Sequence, residues 1–189
     1  FSGWESALHA GDVRLWGTMT HDVNAASTTN GAGAWVPDAR IQLLCRSLTV
    51  ATNGVVNVDG RGYRGAKAID YAGTGFGPGG GAGTSTRGGG GGYGGVGGNA
   101  SWGGGGGPTY GASNAPIDPG SGGGAGGYPA LIRGNGGGAV LITATHGVCV
   151  DGTITADGDF GGPDGDISGG GSGGSIFIVC RDFLSSTGG

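Results

Sequence analysis

The sequence predicts an all-β fold: short β-solenoid (β-helix-like) coils with glycine-rich lateral layers of the polyglycine II kind. Three observations predict it. Fifty-four of the 189 residues are glycine. No segment keeps the 3.6-residue apolar spacing of a helix over about eleven positions. Short β-branched runs, bounded by Gly and Asp, recur in the same order at separate places in the chain, which is strand and turn chemistry.

The glycine load disfavours helix directly, at about 1 kcal/mol for each glycine in a helix interior. Hydrophobic content of 35% and charged content of 12% both fall below the globular norm, while the net charge is only −4. Disorder normally needs high net charge as well as low hydrophobicity. The composition therefore fits neither an ordinary thick core nor a charged coil, and it leaves backbone-against-backbone packing as a route to order.

Glycine is unevenly distributed: seven in residues 1–60, 34 in 61–138 and 13 in 139–189. Two units follow. Residues 1–39 read as an N-terminal extension whose segment 11–23, GDVRLWGTMTHDV, supplies an edge strand or assembly arm. Residues 40–189 read as the glycine-rich module, with 61–138 as a low-complexity insert. The insert lacks a strict G-X-Y period, which excludes a collagen triple helix. Aromatic residues (Tyr93, Trp102, Tyr110 and Tyr128) and prolines interrupt it, which favours an ordered layer over a floppy linker.

Within the module, IQLLCRSLTVATNGVVNVDG (41–60) is followed by AVLITATHGVCVDGTITADG (139–158), a shift of 98 residues. Each copy holds an apolar run, a break closing on Gly54 or Gly152, a second run, and a terminal Asp-Gly. A third copy, IFIVCRDFLSSTGG (176–189), stops where the others begin their second run. In this register Cys45 and Cys180 coincide, and Ile41, Leu43, Leu141, Ile176 and Ile178 are the expected core. Coils stacked in chain order would put the two cysteines either side of a middle coil, at about twice the 4.8 Å strand spacing and beyond disulfide reach.

The charge balance and scattered cations exclude a nucleic-acid footprint, and no apolar run approaches the roughly 18 residues of a membrane span. The first residue is Phe1, as expected of a processed chain. Cys45, Cys149 and Cys180 contain no CxxC pair and read as small hydrophobes on strands.

The succession VNVDGRGYRG (56–65), a poly-glycine block, YGASNAPIDPGSGGGAGG (110–127), GGGAVLITATHGVCVDGTITADG (136–158) and GGGSGGSIFI (169–178) resembles the glycine-rich repeat domain of large secreted and cell-surface proteins of bacteria and some unicellular eukaryotes. The resemblance covers residues 40 to 189. It implies glycine-sided β-solenoids serving as surface, matrix or adhesive modules, and it implies no catalytic residues. A further half coil usual in that family is lacking, and residues 1–39 have no counterpart in it.

Several residues invite a chemical reading. The acidic run Asp157, Asp159, Asp164 and Asp166 places carboxylates on glycine-flexed turns, which is a candidate calcium site; Asp beside Gly also makes turns with no ion present. Asn99-Ala100-Ser101 is a glycosylation sequon. The aromatics of the insert either plug a thin glycine layer or present a face to surface glycans. GxGxxG matches lie outside any strand–helix unit and carry no nucleotide signal. The acids fall at turns, the only Glu is Glu5 and the three histidines are isolated, so no catalytic group is expected.

The strand edges carry the functional reading. A third copy broken off in mid-coil leaves unpaired backbone groups, which proteins normally cover. Residues 1–23 of a neighbouring chain could cover them, giving an assembly edge of Val13, Leu15, Trp16, Ser185 and Gly189. The expectation is a secreted structural protein that self-associates into a filament, surface coat or matrix, with no cofactor beyond the candidate calcium. A receptor- or carbohydrate-binding adhesin is the alternative, and a β-helix polysaccharide-degrading enzyme the third reading.

Overall fold

The structure, a computed structural model, describes residues 1–25, 28–66, 72–127, 134–161 and 168–184. Its strands, in chain order, are β1 (Leu8–His9), β2 (Asp12–Leu15), β3 (Thr18–Met19), β4 (Thr28–Thr29), β5 (Trp35–Val36), β6 (Ile41–Cys45), β7 (Ser47–Val50), β8 (Val55–Asn57), β9 (Ala139–Val150), β10 (Thr153–Thr155) and β11 (Ser175–Leu184). No helix occurs among the described residues.

Six strands form one curled parallel sheet whose spine is β9. On one edge β9 pairs with β11; along the other it pairs first with β6 and then with β7. Beyond these lie β1, on β6, and β2, on β7. A second parallel sheet runs β3–β8–β10, and β4 and β5 form a small antiparallel pair. Between the two parallel sheets sits the apolar core of Ile41, Leu43, Leu48, Val50, Val56, Val58, Val140, Ile142 and Val148.

This arrangement corrects the expectation of stacked β-solenoid coils. Successive coils need connections of similar length, each returning the chain by one strand spacing. Here the neighbours β6 and β9 are joined through the whole of the glycine-rich segment, whereas β10 and β11 are joined through residues 156–174 alone. The 12-residue β9 faces two shorter strands rather than one copy of itself. The result is a curled parallel sheet backed by a glycine layer.

The register also departs from the 98-residue shift. Ile41 pairs with Val140 and Leu43 with Ile142, a shift of 99, and Leu48 pairs with Val148, a shift of 100. Only the β8–β10 pairs, Val55↔Thr153 to Asn57↔Thr155, keep 98. One residue of slip turns every side chain to the other face of a strand. Val140 and Ile142 are accordingly buried, whereas Leu141 is half-buried. Ile176 aligns with Val140 as Ile41 does, but on the edge strand it is 39% exposed. Ile41 and Leu43 are in the core as expected, and Ile178 packs against it half-buried.

The glycine-rich segments bond through their backbones in a three-residue rhythm. Residues 120–127 form the axis. The N–H groups of Gly120 and Gly123 donate to Gly137 and Gly134, those of Gly122 and Ala125 to Phe76 and Gly73, and those of Gly124 and Gly127 to Gly89 and Thr86. Carbonyls of the same segment accept from Tyr63 and Ala66, from Gly81 and Thr84, and from Ser172 and Gly169. Each pair of bonds is three residues apart on both chains, and the six partner segments surround the axis. An extended threefold chain has no internal hydrogen bonds and directs its N–H and C=O groups outward in three directions, so only such a bundle satisfies them.

Close approach is what demands glycine here. A Cβ on Gly122 would stand 1.9 Å from the Arg64 carbonyl oxygen, and one on Gly123 would stand 1.9 Å from that of Gly169. Conformation is the lesser reason, since only Gly33, Gly60, Gly77 and Gly111 take positive φ among the described residues.

The N-terminal segment is stitched into this frame through buried polar groups. Asn24 is fully buried; its Nδ2 donates to the carbonyls of Ala39 (3.1 Å) and Arg61 (2.8 Å), and its Oδ1 accepts from the backbone of Asp38 and Ala39. Trp35 packs edge-on against both Tyr63 and Phe76, with ring centroids 5.8 Å apart in each case, joining the strands to the glycine layer.

Candidate functional site

The outer edges of the six-stranded sheet are the surfaces most able to engage another molecule. At one end, β11 has β9 as its only strand neighbour among the described residues. Its side chains read SIFIVCRDFL, and Ile176, Val179, Phe183 and Leu184 are all exposed, Phe183 to 67%. Monomeric proteins usually blunt such an edge with charge, proline or a covering loop.

At the other end, β1 and β2 are bonded to β6 and β7, with no strand on their other side among the described residues. The main-chain ladder is continued between them: Ala10 N–H donates to Leu44 O, and Arg46 N–H donates to Gly11 O. Val13 and Leu15 turn partly inward against the core, and Trp16 is 61% exposed with the Arg14 guanidinium 4.3 Å from its ring centre. Asp12 takes the Arg46 guanidinium on both carboxylate oxygens and the Ser47 hydroxyl on one. The Arg46 contact, followed by that of Ser47, holds the Asp12 carboxyl down at about 2. Above this cluster a shallow open groove is lined by His9, Leu44, Cys45, Thr143 and His146.

Of the expected assembly-edge residues, Val13, Leu15 and Trp16 therefore belong to an edge that is built onto its own chain. Ser185 and Gly189 lie outside the described residues.

The acidic run is divided in the same way, since Asp164 and Asp166 lie outside the described residues. Asp157 and Asp159 serve the turns. The Asp157 N–H donates to Asp59 Oδ1 (2.7 Å), and Asp59 Oδ2 accepts from Asn57 Nδ2 and Thr155 Oγ1. Asp159 Oδ2 accepts from Asn135 Nδ2 (3.1 Å), and its carboxylate fills the space where a Cβ on Gly60 (φ 61°) would stand. Among the described residues no three His, Cys, Asp or Glu side chains gather as a metal site would require. Asn99 lies exposed on a surface turn, its Oδ1 accepting the Gly106 N–H (2.8 Å).

The insert's aromatics divide by role. The Tyr110 hydroxyl donates to the Pro119 carbonyl and accepts from Ser121, whose hydroxyl oxygen in turn accepts the Gly79 N–H (2.9 Å). Tyr93 packs edge-on to Tyr110 at 4.9 Å. Trp102 is 83% exposed, and Tyr128 lies outside the described residues.

The three cysteines are free, with Cys45 and Cys180 in register on either side of Ala144. No helix among the described residues is long and apolar enough to cross a membrane. Sequence reasoning missed His21 and Asn24, whose buried polar side chains have no repeating pattern to reveal them. No family model, curated protein or solved structure matches the chain.

Proposed function

We propose that this chain is an extracellular structural protein that self-associates through its strand edges to build a filament, coat or matrix. The observation that carries the reading is the edge of β11, ten residues long and largely apolar, which has no strand on its outer side among the described residues, in a sheet whose strands all run parallel. Such an edge offers main-chain hydrogen bonds worth about 0.5–1.5 kcal/mol each, with apolar side chains alongside, so it can hold a partner without a large flat interface. The glycine layer supports a scaffold role: its order comes from backbone bonding, with little side-chain surface given to ligand recognition. The extracellular assignment rests on the resemblance of the repeat order to secreted surface modules.

The test is sedimentation velocity over a hundredfold range of concentration, with electron microscopy of the concentrated sample. Native chain should form concentration-dependent assemblies. A Val179→Lys/Phe183→Lys double variant, which charges the exposed edge, should keep the native circular dichroism and stay monomeric. Native chain that remains monomeric throughout would overturn the proposal.

A further inference from the structure

Three strands in different parts of the chain present one side-chain order to their neighbours. Through their shared partner β9, Ile41 and Ile176 both align with Val140, Leu43 and Ile178 with Ile142, Cys45 and Cys180 with Ala144, and Leu48 and Phe183 with Val148. Arg46 and Arg181 follow the two cysteines in the same place. The pair β6–β7 already carries a further layer, β1–β2, with Leu8 on Leu43, Asp12 on Ser47 and Val13 on Leu48. The strand β11, which repeats the pattern of β6–β7, carries no such layer among the described residues.

We infer that β11 takes the β1–β2 edge of a second copy of this chain, parallel and head-to-tail, with Leu8 of the second copy beside Ile178, Ala10 beside Cys180, and Val13 beside Phe183. This rests on the self-association proposed above and fixes its partner and register. The side-chain columns run on without a break: Leu8, Leu43, Ile142 and Ile178 of one copy, then Leu8 of the next. The contact extends the sheet through the edge of β1–β2 that faces away from β6–β7. In the same register Asp12 of the second copy stands beside Asp182, whose carboxylate is 3.5 Å from the Arg181 guanidinium. Arg46 of the second copy holds its own Asp12 from the far side, so two carboxylates meet two guanidiniums. Because the two contact surfaces differ, the contact is head-to-tail and leaves each added copy a fresh edge for the next.

Disulfide trapping tests the register. In a Cys45→Ala/Cys149→Ala background, Ala10→Cys leaves two thiols, at positions 10 and 180. Within one chain they are separated by three strand spacings, about 14 Å, too far to bridge. Between head-to-tail copies they are neighbours at about 4.8 Å, within bridging distance. Mild oxidation of mixed light and isotopically heavy chains should give a ladder of dimers and higher species, collapsed by reductant, with peptides joining position 10 of one label to Cys180 of the other.

The same background carrying Val96→Cys, on the exposed glycine side (Val96 is 74% exposed), should give no ladder. Native chain bearing Arg181→Glu, whose side chain is exposed, should associate several-fold more weakly, with the deficit shrinking in high salt. Assemblies that form without the 10–180 link, and with Arg181→Glu as good as native, would overturn the register while leaving self-association standing. Chains that never associate would overturn both.

Discussion

His21 Nε2 accepts the backbone N–H of Ala139 at 3.2 Å, joining residues 118 apart where the N-terminal segment meets the first residue of the central strand. The other ring nitrogen, Nδ1, lies 2.7 Å from the Asp22 carbonyl and donates to it, which fixes the neutral Nδ1–H tautomer. The side chain is 2% exposed, and burial holds its pKa below the ordinary value of 6.5. Protonation would remove the acceptor that Ala139 uses.

A pH dependence follows from this bond. The folded state binds the His21 proton less readily than the unfolded chain does. Its stabilisation is fully present above about pH 6.5 and is lost as pH falls from there through the folded-state pKa. Thermal unfolding between pH 8 and 5 should show a midpoint that drops on the acid side, and His21→Gln should flatten that slope. An equally steep acid slope in the variant would assign the effect to another group.

The glycine layer should discriminate sharply between its own members. Gly122→Ala would drive a methyl group to 1.9 Å from the Arg64 carbonyl oxygen, in the middle of six backbone segments. A loss of about 4 kcal/mol or more, or failure to fold, is expected there. A Cβ on Gly98 meets nothing within 4 Å and its φ is not positive, so Gly98→Ala should be neutral or stabilising by up to about 1 kcal/mol. Denaturant unfolding of the two variants measures the contrast; similar values would contradict the backbone lattice.

The sheet register makes a second contrast. Ile142 is fully buried beside Leu43, whereas its neighbour Leu141 points to the other face and is half-buried. Ile142→Ala should cost about 2–5 kcal/mol by leaving a cavity in the core. Leu141→Ala should cost clearly less. Equal losses would mean that β9 sits one residue out of this register.

Tyr110 anchors the rim of the glycine layer through the Pro119 carbonyl and the Ser121 hydroxyl. Burial pushes its phenol above the ordinary value of 10.0. The folded state therefore keeps the proton where the unfolded chain loses it, and this stabilisation fades as pH rises past about 10. In an alkaline titration Tyr110 phenolate absorbance should appear only together with unfolding. Tyr110→Phe should remove that coupling and cost about 1–3 kcal/mol, since it leaves two buried partners short of a bond. Phenolate signal from Tyr110 in a chain that is still folded would count against the buried network.

Much of the local structure was legible along the chain. The runs IQLLC and SLTV alternate, their Gly and Asp boundaries end the strands, and Ile41 and Leu43 are buried accordingly. The repeat shift misplaced Leu141, because the break before the second run is two residues shorter in the second copy while β9 carries one residue more than β6–β7, and no composition signal records either change. Ile176 keeps the register of Ile41 and is exposed because it stands on the sheet edge. His21 and Asn24 were invisible for a related reason: a lone polar residue reads as surface until its long-range partners are known.

The sequence by itself determined the chemistry of each segment: glycine load, strand runs, turn residues and the absence of helical spacing all act over a few neighbouring residues. Only the tertiary structure decided which segments meet. It broke the expected stacking of coils, placed residues 8–19 as strands on their own sheet, and surrounded 120–127 with six partners. The physical reason lies in the bonding groups. Side chains carry an identity that can be read in order, whereas the lattice is held by N–H and C=O groups that every glycine offers alike. Their partners are chosen by where the rest of the chain leaves room.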